Sequence, residues 1–213
     1  MCGIAGYIDY KRAQEHREEL RKMTEVIIHR GPDSVGYYED EAAGLGFRRL
    51  SIIGIENGQQ PILNEDDSMV LTFNGEIYNY AGIREELKGK GHIFTTDSDS
   101  EVILHGYEEY GKDILSKLRG MYCFVVWDIK KKQMFAARDG FGIKPFYYAT
   151  TAKGEFLFAS EIKSMLAHPN FEREVNKNAL LPYLTFQYSA TEETFFKGLK
   201  NYYKEYKFKN IYN

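Results

Sequence analysis

A cysteine stands directly behind the initiator methionine in the opening MCGIAGYIDY. Aminopeptidases generally remove Met1 when the next side chain is this small, which leaves Cys2 with its own α-amine. Reference pKa values of about 7.7–8.0 for the amine and about 8.5 for the thiol suit proton transfer near neutrality. A nucleophile served by its own amine needs no histidine partner. A Met-Cys start also arises by chance, and a lipid anchor is a third reading. The anchor fails, because the apolar run ends at Asp9 with no basic or apolar segment ahead of the cysteine, and myristoylation requires glycine at position 2. Chance and nucleophile stay open on Cys2 alone.

Other constellations carry less. GYEEYGKD (106–113) follows the phosphate-loop pattern up to its last place, where Asp113 replaces the hydroxyl that reaches magnesium. Its two internal glutamates repel phosphate, so it reads as a helix C-terminus with a glycine stop. GFGIKP, after Asp139, is a poorer dinucleotide match. The five histidines (16, 29, 92, 105, 168) show no metal-ligand spacing with the cysteines, and no metal is expected. Cys123, inside an apolar run, reads as a small buried hydrophobe.

The elements that must position Cys2 follow from periodicity. GIAGYID (3–9) reads as a buried strand, and Arg12 to Ile28 as a helix with Leu20, Met23, Val26 and Ile27 on one stripe. AGLGFRRLSII (43–53) and MVLTF (69–73) read as strands, the latter running into NGEIYN. Asn79 is placed to cap a short helix through Leu87. DSDSEVILHGYEEYG starts a second helix. Residues 121–139 and 145–160 read as hairpins, and EIKSMLAH as a short helix. Hairpins clustered between helices without βαβ alternation favour an α+β layered sheet protein.

The 213 residues suit one sizeable domain. Apolar residues make up 43%, with 17 Tyr and 14 Phe, which excludes wholesale disorder. A net charge of −3 gives no basic surplus for nucleic acid or an anionic membrane. Two distant cysteines make no disulfide framework, and the pattern fits a reducing cytoplasm. No run reaches the roughly 18 apolar residues of a membrane span. From Lys197 to Asn213, twelve of 17 residues are Lys, Tyr or Asn, which reads as a disordered extension or an altered reading frame.

MCGIAG, HRGPDS, RLSI, NGEIYN, SDSEV, RDGFGIKPFYY and FASEIK occur in this order over residues 2–163. Together they closely resemble the glutaminase domain of glutamine-hydrolysing asparagine synthetases, class II amidotransferases with an N-terminal nucleophile. The resemblance covers about the first 195 residues. It implies a four-layer αββα sandwich over 2–195, with 196–213 as a tail and the ATP-dependent synthetase domain missing. It implies hydrolysis of the L-glutamine side-chain amide by Cys2, with Asn74 and the Gly75 N–H as oxyanion donors. Arg49 would hold the substrate carboxylate, and Asp99 with Glu76 the ammonium, while Leu50, Ser51 and Ile53 complete the binding set. His29, Arg30 and Asp33 would shape a nearby loop, with Arg138 and Asp139 structural or domain-facing rather than catalytic.

Taken singly, Arg49 also reads as a surface arginine, NGE as an ordinary turn and Asp99 as a helix cap. The loop 53–61 is expected to fold over glutamine. No cofactor is expected for hydrolysis, since ATP and magnesium belong with the synthetase domain. A partner synthetase or a second copy is the implied protein partner, in the cytoplasm. The other reading, from a different class, is a catalytically idle glutamine-binding or regulatory remnant.

Overall fold

The computed structural model describes residues 1–11, 16–52, 54, 56–189, 191–202 and 206–208. The opening apolar run forms β1 (Gly3–Ile8), and α1 (Arg17–Glu25) follows, burying Leu20 and Met23. The helix expected from Arg12 to Ile28 is therefore shorter. Residues 12–15 lie outside the described residues, and the chain tightens into a 3-10 turn at Ile28–Arg30, which leaves Val26 exposed.

β2 (Ser34–Glu39) pairs with β3 (Ala43–Arg49), and β4 (Ile62–Leu63) with β5 (Met69–Ile77). Next come α2 (Tyr80–Gly89), α3 (Glu101–Tyr110), β6 (Gly120–Asp128) and β7 (Gln133–Arg138). β8 (Tyr147–Thr150) and β9 (Phe156–Ala159) form the expected hairpin, and α4 (Ile162–Leu166) follows it. α5 (Lys177–Phe186), β10 (Leu199–Asn201) and β11 (Tyr206–Phe208) complete the order.

The strands build two antiparallel sheets, β10-β8-β9-β1-β3-β2 and β11-β7-β6-β5-β4. Period-two alternation decides how they stack. Ile4 and Ile8 of β1, Leu45 and Phe47 of β3, and Phe156 and Phe158 of β9 share one core with Val70, Val125, Trp127 and Ala136 of the second sheet. The opposite residues face helices. Ala5, Tyr7 and Leu157 pack with Leu20 and Met23 of α1 and Met165 of α4. Leu71, Phe73, Phe124 and Val126 pack with Ile83 and Leu87 of α2 and Ile103 of α3. The layers are therefore αββα, as expected. Burying each Leu, Ile or Phe contributes roughly 1.5–3 kcal/mol, so the inner core is what fixes the sheets face to face.

Two local expectations change. Asn79 occupies the N-cap of α2 without capping it, because its side chain joins the Lys117 carbonyl and the Arg119 N–H, both at 2.9 Å. Residues 199–202, assigned by composition to a separate tail, are built into the fold. Leu199–Asn201 pairs with β8, and the buried Tyr202 donates its hydroxyl to the Ala136 carbonyl at 2.9 Å. Residues 209–213 of that tail lie outside the described residues.

Candidate active site

Alternation brings the site together. Cys2 continues the inward face of Ile4 and Ile8, and Arg49 that of Leu45 and Phe47. Gly3 lies opposite Arg48, so Cys2 and Arg49 end neighbouring strands side by side. On the second sheet Asn74 continues the inward face of Val70, opposite Cys123. The three side chains meet where the sheets part, in a cavity of about 330 Å³.

Cys2, Arg49, Leu50, Asn74, Gly75, Glu76 and Asp99 all line this cavity. Ser51 does not, because its N–H is drawn aside to Asp33 Oδ2 at 2.8 Å. Ile53 lies outside the described residues. Among the lining residues that sequence reasoning missed are Ser98, just before α3, Met121, within β6, and Ile143 and Lys144, from the loop before β8.

Cys2 Sγ accepts the Leu50 N–H at 3.3 Å and lies 3.5 Å from the Leu50 carbonyl. Burial pushes the thiol pKa up, while the Leu50 N–H, the terminal amine, Arg49 and Lys144 pull against it. Arg30 holds the residue from behind, donating from Nε to the Cys2 carbonyl at 2.9 Å and from a terminal nitrogen to Glu161 at 3.1 Å. Cys123 is fully buried and its thiol is pushed far up by desolvation, so it has no nucleophilic form near neutrality.

NGE is no turn. It is the end of β5, and the edge it presents is specific. Tyr122, opposite Gly75, turns both its main-chain groups to Asp139, accepting at 2.8 Å and donating at 3.2 Å. Gly75 therefore directs its own N–H away from β6. Its neighbours along that edge are engaged: the Phe73 N–H reaches Gln60 Oε1 at 2.6 Å, and the Ile77 N–H reaches Asp99 Oδ2 at 2.8 Å. Glycine is required here by β6 itself, since a Cβ would stand 2.3 Å from the Met121 carbonyl oxygen. Beside it, Asn74 Nδ2 is buried and has no hydrogen-bond partner. A buried donor without a partner costs about 1–3 kcal/mol, so its retention at a cavity wall points to a ligand acceptor.

Asp99 does not cap α3, since Ser100 holds that position and the Asp99 carboxylate is taken by Ile77. Burial raises its pKa, and so does the charge of Glu76, against the hydrogen bond from Ile77. Arg49 is buried rather than superficial, and its guanidinium donates to the Gly54 carbonyl. The described part of the loop after Arg49 closes one side. Gly58 and Gln60 line the cavity, and Asn57 exchanges two 3.2 Å hydrogen bonds with Asp97. The Asp139 carboxylate gathers the N–H groups of Phe141, Ile143 and Lys144, and so shapes the loop that brings Ile143 and Lys144 to the cavity.

A family model described as a glutamine amidotransferase domain matches residues 1–206. The chain belongs to the glutamine amidotransferase domain family. This amidotransferase domain is 48% identical over 197 residues to asparagine synthetase [glutamine-hydrolyzing] 1 of Bacillus subtilis (strain 168), covering 91% of the chain and 31% of that protein. A probable asparagine synthetase [glutamine-hydrolyzing] of Dictyostelium discoideum is 42% identical, over 78% of the chain and 30% of that protein. The chain thus spans about a third of the length of these relatives. Among solved structures, a glutamine phosphoribosylpyrophosphate amidotransferase from B. subtilis superposes with a TM-score of 0.66 at 22% identity, covering 82% of the chain and 45% of that one, which shows the shared fold. Among the described residues no helix is long and apolar enough to cross a membrane.

Proposed function

We propose that this domain hydrolyses the side-chain amide of glutamine to glutamate and ammonia, with Cys2 as nucleophile after loss of Met1. One observation carries the reading: the buried, unpartnered Asn74 Nδ2 lines the same cavity as Cys2 Sγ. The bared α-amine takes the thiol proton, and the thiolate attacks the amide carbon. Asn74 Nδ2 and the Gly75 N–H receive the oxyanion, an arrangement worth about 10²–10³ in rate per donor. The amine returns the proton to the departing nitrogen, ammonia leaves, and water hydrolyses the γ-glutamyl thioester with the amine as base.

Charge selects the substrate. A free amino acid carries both signs, and the cavity offers Arg49 to the carboxylate and Asp99 with Glu76 to the ammonium. No group in this sequence of steps calls for a metal or an organic cofactor. The ammonia acceptor lies with a synthetase domain such as the relatives carry, and α5 suits contact with further protein, because Leu181, Leu184 and Phe186 are exposed on it.

Intact mass after treatment with a diazo-ketone glutamine analogue tests the reading. The expected result is loss of Met1 and a single adduct on Cys2, with glutamate and ammonium formed in equal amounts before treatment. Turnover by protein that retains Met1 would overturn it.

A further inference from the structure

Away from the cavity, the loop after β4, the loop after α2 and one face of α3 bring Glu65, His92, His105 and Glu108 together, with one ligand atom from each within 4.8 Å of the others. The histidines, scattered in the sequence, thus meet carboxylates rather than cysteines. His105 Nδ1 lies 3.2 Å from Glu65 Oε2 and 3.8 Å from Glu108 Oε2, and His92 Nδ1 lies 3.3 Å from Glu65 Oε1 and 3.8 Å from Glu108 Oε2. A tetrahedral zinc ion with bonds of about 2.0–2.2 Å holds its ligand atoms about 3.3–3.5 Å apart. Little movement is needed to reach that spacing.

A second observation is independent of the spacing. His105 is 1% exposed, and neither of its ring nitrogens has a hydrogen-bond partner, although Nδ1 faces both carboxylates. The surroundings fit a dication. Glu65, Glu108 and Glu109 contribute three negative charges, and Lys90, held by Glu109 at 2.6 Å, returns one. Glu109 Oε2 also stands 3.5 Å from His92 Nε2, where an outer carboxylate orients a ligating imidazole.

We propose that Glu65, His92, His105 and Glu108 bind one divalent transition-metal ion of the zinc class. Two imidazoles with two carboxylates suit zinc rather than calcium or magnesium, which prefer all-oxygen sets. The ion would tie the turn after β4 to α3 and fix the start of the segment that ends at Ser98 and Asp99. Its role is structural, so the site stands or falls separately from glutamine hydrolysis.

Zinc titration of tag-free full chain against a chromophoric chelator tests this, with cobalt as a spectroscopic substitute. The expected result is one equivalent bound, a rise in Tm on adding zinc, and intense visible cobalt bands of tetrahedral type. His92→Asn and Glu108→Gln should each weaken zinc roughly tenfold or more while keeping the Tm measured in chelator. Cys2→Ala should bind as the parent does. If His92→Asn fails to fold, the more exposed Glu108→Gln decides. No zinc bound by the parent, affinity unchanged in the foldable variants, or loss confined to Cys2→Ala would each overturn the proposal.

Discussion

The guanidinium of Arg30 donates from Nε to the main-chain carbonyl of Cys2 at 2.9 Å. Its side chain is nearly buried and bridges to Glu161, so the first turn of chain is held by a rigid fork rather than left to fray. Proposed catalysis depends on where the thiol points, and a misplacement of about 1 Å can cost 10²-fold. Arg30→Gln should therefore lower kcat roughly 10- to 100-fold with KM little changed. Steady-state ammonia release would show it, and a change confined to KM would place Arg30 at the substrate instead.

Asn74→Ala removes the unpartnered donor and one proposed oxyanion contact. We expect kcat to fall about 10²–10³-fold while glutamine still protects Cys2 from alkylation at similar concentrations. Stability should hold or rise, since no existing hydrogen bond of Nδ2 is lost. A variant with undiminished turnover would remove Asn74 from the mechanism.

For substrate binding, Arg49→Ala should weaken glutamine by about 1.5–3 kcal/mol, roughly 10- to 150-fold in Kd, by removing a charge-assisted fork. Asp99 adds a pH signature. Its pKa is raised by burial and by Glu76, so it takes up a proton at higher pH than an ordinary carboxylate. KM should accordingly climb as pH falls, beginning above the usual carboxylate range, and Asp99→Asn should be weak and flat across the same interval. Steady-state ammonia release over a pH series reads both.

Asn57 and Asp97 join the loop after Arg49 to the segment carrying Asp99. Asn57→Ala should raise KM and the rate of proteolytic cutting within residues 54–61, and glutamine should slow that cutting in the parent. Equal cutting of the parent with and without glutamine would speak against closure over substrate.

His168 supplies a stability prediction apart from the site. Its pKa is lowered from 6.5 to about 4, first by burial and then by His16, with Glu155 opposing. Nδ1 accepts the Asn170 N–H at 3.3 Å, and Nε2 is buried without a partner. The unfolded chain takes up this proton near pH 6.5 and the folded one only near 4. Stability from the neutral form is therefore complete above about pH 6.5 and is lost progressively down to about 4, by on the order of 3 kcal/mol. His168→Asn should flatten this part of the profile in urea titrations. An unchanged slope would assign the acid loss to other groups.

Much of this was legible in the sequence, and the gaps have physical reasons. Apolar, strand-like runs announced β1, β3, β6 and β7, and ordered motifs announced Cys2, Arg49, Asn74, Gly75 and Asp99. NGE read equally as a turn because two turn-forming residues stand together, yet its register against Met121 and Tyr122 keeps it extended. β2 escaped notice because SVGYYE is partly exposed throughout and shows no clean alternation. α5 escaped because it buries no residue and carries Pro182 within it. The His92–His105 cluster left no trace, since its members come from three separate stretches and only the fold makes them neighbours.

Arg138 ties the loop before β8 to β10 and Tyr202. It donates to the carbonyls of Lys144, Gly142 and Tyr202, and to Asn201 Oδ1 at 3.0 Å, so the loop that presents Lys144 beside Cys2 is fastened to β10. During synthesis, then, the nucleophile emerges first and one wall of its chamber is secured only when Asn201 and Tyr202 have followed. A nascent polypeptide lacking β10 would hold a cysteine without a finished pocket around it, and so would not spend glutamine before this domain is built. Ribosome-bound chains arrested before Leu199 should leave Cys2 unlabelled by the diazo-ketone, whereas efficient labelling would mean the wall sets without β10.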